Sequence, residues 1–136
     1  MLLVREKNEG IWTKQFYRGA AIELKIRPAD PDVFTDIRQK HTSTEYAKDA
    51  NGQVVQVKAT DNGKVMDDTL DYLIEDFKGI GYAKDKPWPV DRAHKLKLCF
   101  LAPLGNEPRL WEFILAKANE YRTLTEAEAN ELEKNS

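Results

Sequence analysis

The side chains able to do chemistry are few in this chain and poorly spaced for it. His41 and His94 stand far apart, and neither has a second histidine at the short spacing that gives zinc two ligands from one element. His94 and Cys99 are five positions apart, so on a helix they point in different directions. Cys99 lies in the apolar run Leu98-Cys99-Phe100-Leu101, the setting of an inert core thiol rather than of a reactive thiolate. Ser43 is close to His41 but in a loop without an elbow motif, so nucleophilic catalysis has no frame. The carboxylates Asp67, Asp68, Asp71, Glu75 and Asp76 could be cast as acid–base or Mg²⁺ machinery. Their helical placement reads better as capping and a solvated face. Gly79-Ile80-Gly81 lacks the third glycine and the strand-turn-helix setting of a dinucleotide fingerprint, and reads as a helix end. The expectation is a chain with no catalytic residues, no metal and no cofactor: not an enzyme.

Two further groups of residues could bind rather than react. Lys84, Lys86, Arg92, Lys95 and Lys97 outnumber Asp85 and Asp91, and Tyr82 and Trp88 could supply stacking faces to a nucleic acid. That excess is modest, and a solvated helix face accounts for it better. Trp88 stands between prolines in Pro87-Trp88-Pro89. It either anchors a partner or plugs one end of a helical core. Phe77, Trp88 and Trp111 are the candidate partner-binding residues.

The elements that must position these groups follow from periodicity. Ala20, Ile22, Leu24 and Ile26 alternate with Ala21, Glu23, Lys25 and Arg27, the period of a strand with one face on a core. Trp12 and Phe16 mark a shorter run ending at a Tyr17-Arg18-Gly19 turn, so residues 11–28 predict an antiparallel hairpin, stopped at Pro28. Asp30-Pro31 opens a short helix, with Val33, Phe34 and Ile37 at helical spacing, to about Lys40. His41-Thr42-Ser43-Thr44 ends it. Between the turn signals Asn51-Gly52 and Asn62-Gly63, Val55, Val57 and Ala59 alternate with polar neighbours. Residues 54–59 are a strand or part of an excursion that orders on a partner.

Beyond residue 64 the signals are helical. Leu70, Leu73, Ile74 and Phe77 form an i, i+3, i+4, i+7 stripe, with Asp67 and Asp68 at its start and Gly79 and Gly81 at its end. Pro89 opens a second helix to Leu101, with Ala93, Leu96 and Phe100 on one side. Asn106-Glu107-Pro108 opens a third, its inward face Leu110, Phe113, Ile114, Ala118 and Tyr121, widened by Trp111 and Leu115. Thr125-Glu126-Ala127-Glu128 matches a capping box with Leu124 as staple. It starts a short acidic helix, anchored only by Leu132 and a few alanines, that frays into Lys134-Asn135-Ser136. The fold class is therefore α+β: an N-terminal antiparallel hairpin or small sheet packed on a C-terminal cluster of about four helices. It forms one domain over residues 1–136, with a strand-rich part at 11–59 holding one short helix and a helical part at 64–134.

The totals agree. A chain of 136 residues, 41% hydrophobic and 32% charged, suits one globular domain with an ordinary core. A net charge of −2 gives no general pull toward nucleic acid or an anionic membrane, and a single cysteine excludes an internal disulfide. The run from Met1 to Lys7 is too short for a signal peptide and lacks a cleavage site. No apolar stretch approaches a bilayer span. A cytoplasmic protein is expected.

The order of these elements resembles the tail assembly chaperones and allied small tail proteins of long-tailed bacteriophages and prophages. A strand closing in Ile26-Arg27-Pro28 precedes a segment Ile74-Glu75-Asp76-Phe77-Lys78-Gly79-Ile80, which is similar to the family's "aromatic, Lys or Arg, Gly, Val or Ile", with Phe77 where Trp is more usual. Gly81-Tyr82-Ala83-Lys84-Asp85-Lys86-Pro87 stands for the family's Gly- and Pro-containing loop, and helices follow. The similarity spans roughly residues 24–121. It implies a non-enzymatic protein of the bacterial host cytoplasm that binds a long helical client, the tape-measure protein, while tube subunits polymerise around it. The alternatives are a structural tail or head-completion component, or a general protein-binding domain. The partner is then a protein, with no membrane and no nucleic acid, and a homo-oligomer is compatible with the residues.

Overall fold

The computed structural model describes residues 1–5 and 8–135; Glu6 and Lys7 of the opening run and Ser136 of the closing one lie outside the described residues. The fold is α+β. Antiparallel strands dominate the first half and three of the five described helices lie in the second. Two compact units are present, Met1–Asp30 with Leu70–Ser136, and Pro31–Thr69.

The first unit is built on the predicted hairpin, β1 (Ile11–Tyr17) and β2 (Ala20–Ile26), joined through Arg18 and Gly19. Both turn residues have positive φ, 52° and 79°, the geometry whose twist matches that of the flanking strands. Alternation sorts β2 as expected at Ile22, Leu24 and Ile26, which are buried, though Ala20 is exposed; on β1 Ile11, Thr13 and Tyr17 are buried and Phe16 is exposed. A third strand, β5 (Ile74–Lys78), pairs antiparallel with β2 and gives the order β1-β2-β5.

That strand corrects the sequence reading, in which Ile74 and Phe77 continue a helix. The helix α2 (Asn62–Leu73) begins earlier, at the Asn62-Gly63 turn signal, and stops at Leu73. Spacing of three normally separates the faces of a strand. Here Lys25 pairs with Asp76 but Ile26 pairs with Ile74, so Glu75 is an extra, bulged residue. The bulge brings Ile74 and Phe77 to the same buried side, which a sequence pattern alone renders as a helix turn. The Arg27 N–H and guanidinium donate to the carbonyls of Leu73 and Tyr72, at 2.7 and 2.6 Å, and so satisfy acceptors that the helix end leaves free. Gly79 therefore ends a strand, not a helix. Its φ is +88°, and a Cβ there would stand 3.1 Å from the Ala21 carbonyl oxygen.

The segment from Gly81 to Pro87, expected as a loop between helices, forms a short hairpin, β6 (Gly81–Ala83) with β7 (Lys86–Pro87). Gly81 is required there: a Cβ would lie 2.5 Å from the Lys86 carbonyl oxygen. The helices α3 (Arg92–Cys99) and α4 (Leu110–Tyr121) are each shorter at the start than their proline signals suggested. On α3 the buried residues are Leu98 and Cys99, whereas Phe100 is exposed. On α4 they are Leu110, Ile114, Ala118 and Tyr121, with Phe113, Trp111 and Leu115 half-buried. The Tyr121 and Thr13 hydroxyls are 2.7 Å apart, and the Ala29 N–H donates to the Ala118 carbonyl at 2.9 Å. The last helix, α5 (Glu126–Lys134), has the predicted capping box between Thr125 and Glu128. Ala129 is buried, and Glu133 accepts a 3.4 Å bond from the Trp12 N–H, so α5 covers the outer strand β1.

The second unit contains α1 (Pro31–Lys40), β3 (Thr42–Lys48), β4 (Val54–Thr60) and the first turns of α2. The predicted strand exists, but its partner β3 begins where only the end of a helix was read. Polar Thr42, Ser43 and Thr44 hide it. The turn closes on Asp49, whose Oδ1 accepts from the N–H groups of Asn51 and Gln53 at 2.8 and 2.9 Å. No residue of α1 is fully buried. At the base of the hairpin His41 Nε2 lies 2.6 Å from Asp68 Oδ2, with Lys40 3.7 Å from the same oxygen.

Candidate functional site

The three residues singled out as partner contacts occupy different environments. Phe77 is 4% exposed and belongs to the β2–β5 core. Trp88 and Trp111 are half-buried, and they stand at the two ends of α3.

Trp88 is held by its N–H, which donates to the Ile80 carbonyl at 3.0 Å, and it completes an aromatic group with Tyr82 and His94. Ring centroids are 5.5 Å from Trp88 to Tyr82, 5.4 Å from Trp88 to His94 and 6.1 Å from Tyr82 to His94. Lys97 lies over both larger rings, 5.3 Å from Trp88 and 5.2 Å from Tyr82, where the ring quadrupoles attract its charge. Asp91 caps α3: its Oδ1 accepts from the His94 N–H at 2.8 Å and lies 2.7 Å from His94 Nδ1. These contacts, the backbone N–H first, hold the Asp91 carboxyl below the ordinary range. A carboxylate only accepts, so Nδ1 carries a proton, and Nε2 lies 3.1 Å from the Tyr82 hydroxyl.

Asp91, His94 and Tyr82 thus form a hydrogen-bonded series that orients an imidazole. Acyl or phosphoryl chemistry would also need a site beside the reacting atom and donors for the developing charge. The nearby depression is lined by Gly79, Ile80, Gly81, Ala83, Lys84 and Pro87, none of them a Ser, Cys, His or carboxylate. Among the described residues no group of three or more His, Cys, Asp or Glu side chains is placed to hold a metal ion. Three of the five basic residues of this stretch are also engaged. Arg92 and Lys95 each approach Asp71 at 3.4 Å, and Lys97 covers the rings.

At the other end of α3 lies a cleft of about 190 Å³, lined by Cys99, Phe100, Leu101, Pro103, Arg109 and Trp111 among others. Phe100, which lines it, is 53% exposed, and Leu104, in the loop that follows, is 59% exposed. The loop is fixed from behind. The Tyr17 hydroxyl donates to the Leu101 carbonyl at 2.8 Å, and the Arg18 guanidinium donates to the Ala102 carbonyl at 2.8 and 2.5 Å. Glu107 accepts from the N–H groups of Arg18 and Leu104, at 2.7 and 2.9 Å. Burial, foremost, raises the Tyr17 hydroxyl pKa, which keeps it a donor. The sequence reading placed Phe100 inside because it treated 98–101 as one helix turn. The helix stops at Cys99, and Phe100, its C-cap at φ −104° and ψ 14°, turns outward.

A second open depression, of about 440 Å³, runs along α5 between Leu124, Ala127, Glu128, Glu131, Leu132 and Asn135. No described helix is long and apolar enough to cross a membrane. Comparison of the chain with family models, curated proteins and solved structures finds no match.

Proposed function

We propose that this chain is a non-enzymatic binding protein of the tail assembly chaperone kind, which holds a helical client such as a tape-measure protein against the cleft at the end of α3. The observation that carries this reading is the cleft lined by Phe100, Arg109 and Trp111, with exposed Leu104 in the adjoining loop. At about 190 Å³ it is smaller than the roughly 300–1,000 Å³ typical of small-molecule sites. It suits the anchoring side chain of a protein partner, set among exposed apolar neighbours that exclude water. An amphipathic helix offers such anchors at i, i+3, i+4 and i+7. The resemblance in the order of elements supplies the client, and the host cytoplasm is where such a client would need cover before its tail is built.

The test is co-expression with the tape-measure protein of the same phage or prophage. Wild-type chain should keep the client soluble and co-elute with it. Phe100→Glu, at an exposed position that leaves the fold and its melting midpoint unchanged, should lower co-elution about tenfold, the loss of one hot-spot contact. Equal co-elution with the folded variant, or no association of the wild type, would end this reading.

A second reading, a structural component built into a particle, is favoured by the exposed β3–β4 hairpin, an arm that assembly could cover. Mass spectrometry of purified particles separates the two, because a chaperone leaves and a component stays.

A further inference from the structure

The hairpin β3–β4 is exposed along most of its length. All of residues 43–48 and 54–58 are exposed, with Tyr46 at 69% and Val54 at 65%. A lone hairpin is marginal in water, and three or more strands, or a covering helix, are usually needed. The hydrogen-bond phase fixes which groups of this hairpin are unpaired. The Asp49 N–H donates to the Gln53 carbonyl and the Asp61 N–H to the His41 carbonyl. Bonded pairs therefore recur at odd numbers, Ala47 with Val55 and Glu45 with Val57, within the observed register. On β4 the N–H and C=O groups of Val54, Gln56 and Lys58 must point away from β3. On β3 those of Thr44, Tyr46 and Lys48 do.

The two open edges differ in character. β4 reads Val-Val-Gln-Val-Lys-Ala-Thr, with three valines, no acid, no glycine and no proline, the composition of a strand that recruits another. β3 carries both Glu45 and Lys48 and only one large apolar residue, Tyr46. We infer that the open edge of β4 pairs antiparallel with β4 of a second copy of this chain, forming a four-stranded sheet across a two-fold axis at Gln56. A two-fold axis through an antiparallel pair requires each residue to face one of equal parity, and β4 meets this with complementary contacts. Val55 faces Val57 of the other copy and Val57 its Val55, while Gln56 faces itself and exchanges both backbone bonds. Val54 faces Lys58 of the other copy. The two Lys58 charges then stand four positions apart, roughly 13 Å along the strands at about 3.3 Å per residue, beyond the screening length of physiological salt. Centring on Val57 instead would bring them within two positions. The β3 edge centred on Glu45 would oppose two carboxylates. Strand addition buries less than a standard interface, so association depends on concentration.

Sedimentation equilibrium over a wide concentration range, together with amide hydrogen exchange by NMR, tests this. The mass should rise from 15.6 kDa toward twice that value. With it the amides of Val54, Gln56 and Lys58 should slow by about tenfold or more, while those of Thr44 and Tyr46 stay fast. Gln56→Pro removes one outward N–H without touching the bonds to β3, and should abolish both effects; Thr44→Pro, on the other edge, should leave them. A chain that remains a monomer at every concentration, or a dimer in which the β4 amides exchange as fast as in the monomer, overturns the inference without recourse to either variant. So does a dimer unaffected by Gln56→Pro.

Discussion

Replacing Glu75 by glutamine should make the fold less stable at neutral pH and leave it almost unchanged in acid. The bulge at Glu75 turns its carboxylate toward Lys25 Nζ at 2.7 Å, the Gly10 N–H at 3.3 Å and Arg27 Nε at 3.5 Å. Side chains of Glu75 and Lys25 are 24% and 20% exposed. Burial pushes the Glu75 carboxyl up, but the bonds from Lys25 and Gly10 outweigh it, and the group titrates below its ordinary value. The Lys25 ammonium is correspondingly raised, chiefly by its bond to Glu75. A carboxyl depressed in the folded state stabilises it above the unfolded value of 4.5, and loses that contribution as pH falls through the lower folded value. A hydrogen bond to a charged group contributes roughly 1.5–3 kcal/mol. Partial exposure and screening reduce this to about 1–2 kcal/mol. Glutamine keeps the volume and can still accept from Gly10, so the difference isolates the charge. Urea unfolding of wild type and Glu75→Gln, from neutral pH to about pH 3.5, should show a gap that narrows below pH 4.5. A gap that is constant over that range, or under about 0.3 kcal/mol throughout, would show that the ion pair does not hold the bulge.

Two further substitutions probe the packing. Ile114 is 0% exposed on α4, and Ile114→Ala removes three carbons at about 0.8 kcal/mol each and leaves a cavity. The expected loss is about 2–4 kcal/mol by chemical denaturation, and a loss under about 1 kcal/mol would misplace the core face of α4. Val54→Ala, in the exposed hairpin, should stay within about 0.5 kcal/mol. Ending the chain after Leu124 removes buried Ala129 and the Glu133 bond to the Trp12 N–H, so the melting midpoint should fall, corresponding to about 1–2 kcal/mol. An unchanged midpoint would mean that α5 does not support β1.

Where one physical cause dominated a segment, the residues announced the structure. Alternation marked β2, the positive-φ pair Arg18-Gly19 marked its turn, and Thr125 with Glu128 marked the start of α5. Reading failed where two causes compete. A spacing of three between Ile74 and Phe77 satisfies a helix face and a bulged strand equally, and only pairing with β2 decides it. That pairing is non-local, between residues near 25 and near 76, so no window of neighbouring residues contains it. β3 was missed for a related reason: with both faces in water it has no apolar alternation to show.

The candidate site was half legible on the same grounds. Trp111 stood out as a large ring on an amphipathic helix, and it does line the cleft. Phe100, the more exposed of the two, did not, because a run of apolar residues carries no phase until the helix end is known. Phe77 stands in the segment that carries the family resemblance, yet a large apolar ring in a chain of this length more often serves the core, and the β2–β5 pairing uses it there. Exposed apolar side chains lie in several places, residues 1–4, Phe16, Tyr82, Val90 and Leu132 among them, and two sets concern the associations proposed above. One is Phe100 on the cleft with Leu104 in the adjoining loop, the other the β4 valines. A fold that buries Ile11, Leu24, Ile26, Leu70, Leu73, Ile74 and Ile114 almost completely is not short of capacity to bury apolar groups. Leaving these two sets in water costs free energy that contact with another chain would recover. They differ in kind, because a cleft accepts a side chain and a strand edge accepts a strand. The client reading and the self-pairing reading therefore call on different residues, and Phe100→Glu should weaken the first association about tenfold and Gln56→Pro abolish the second, each without affecting the other.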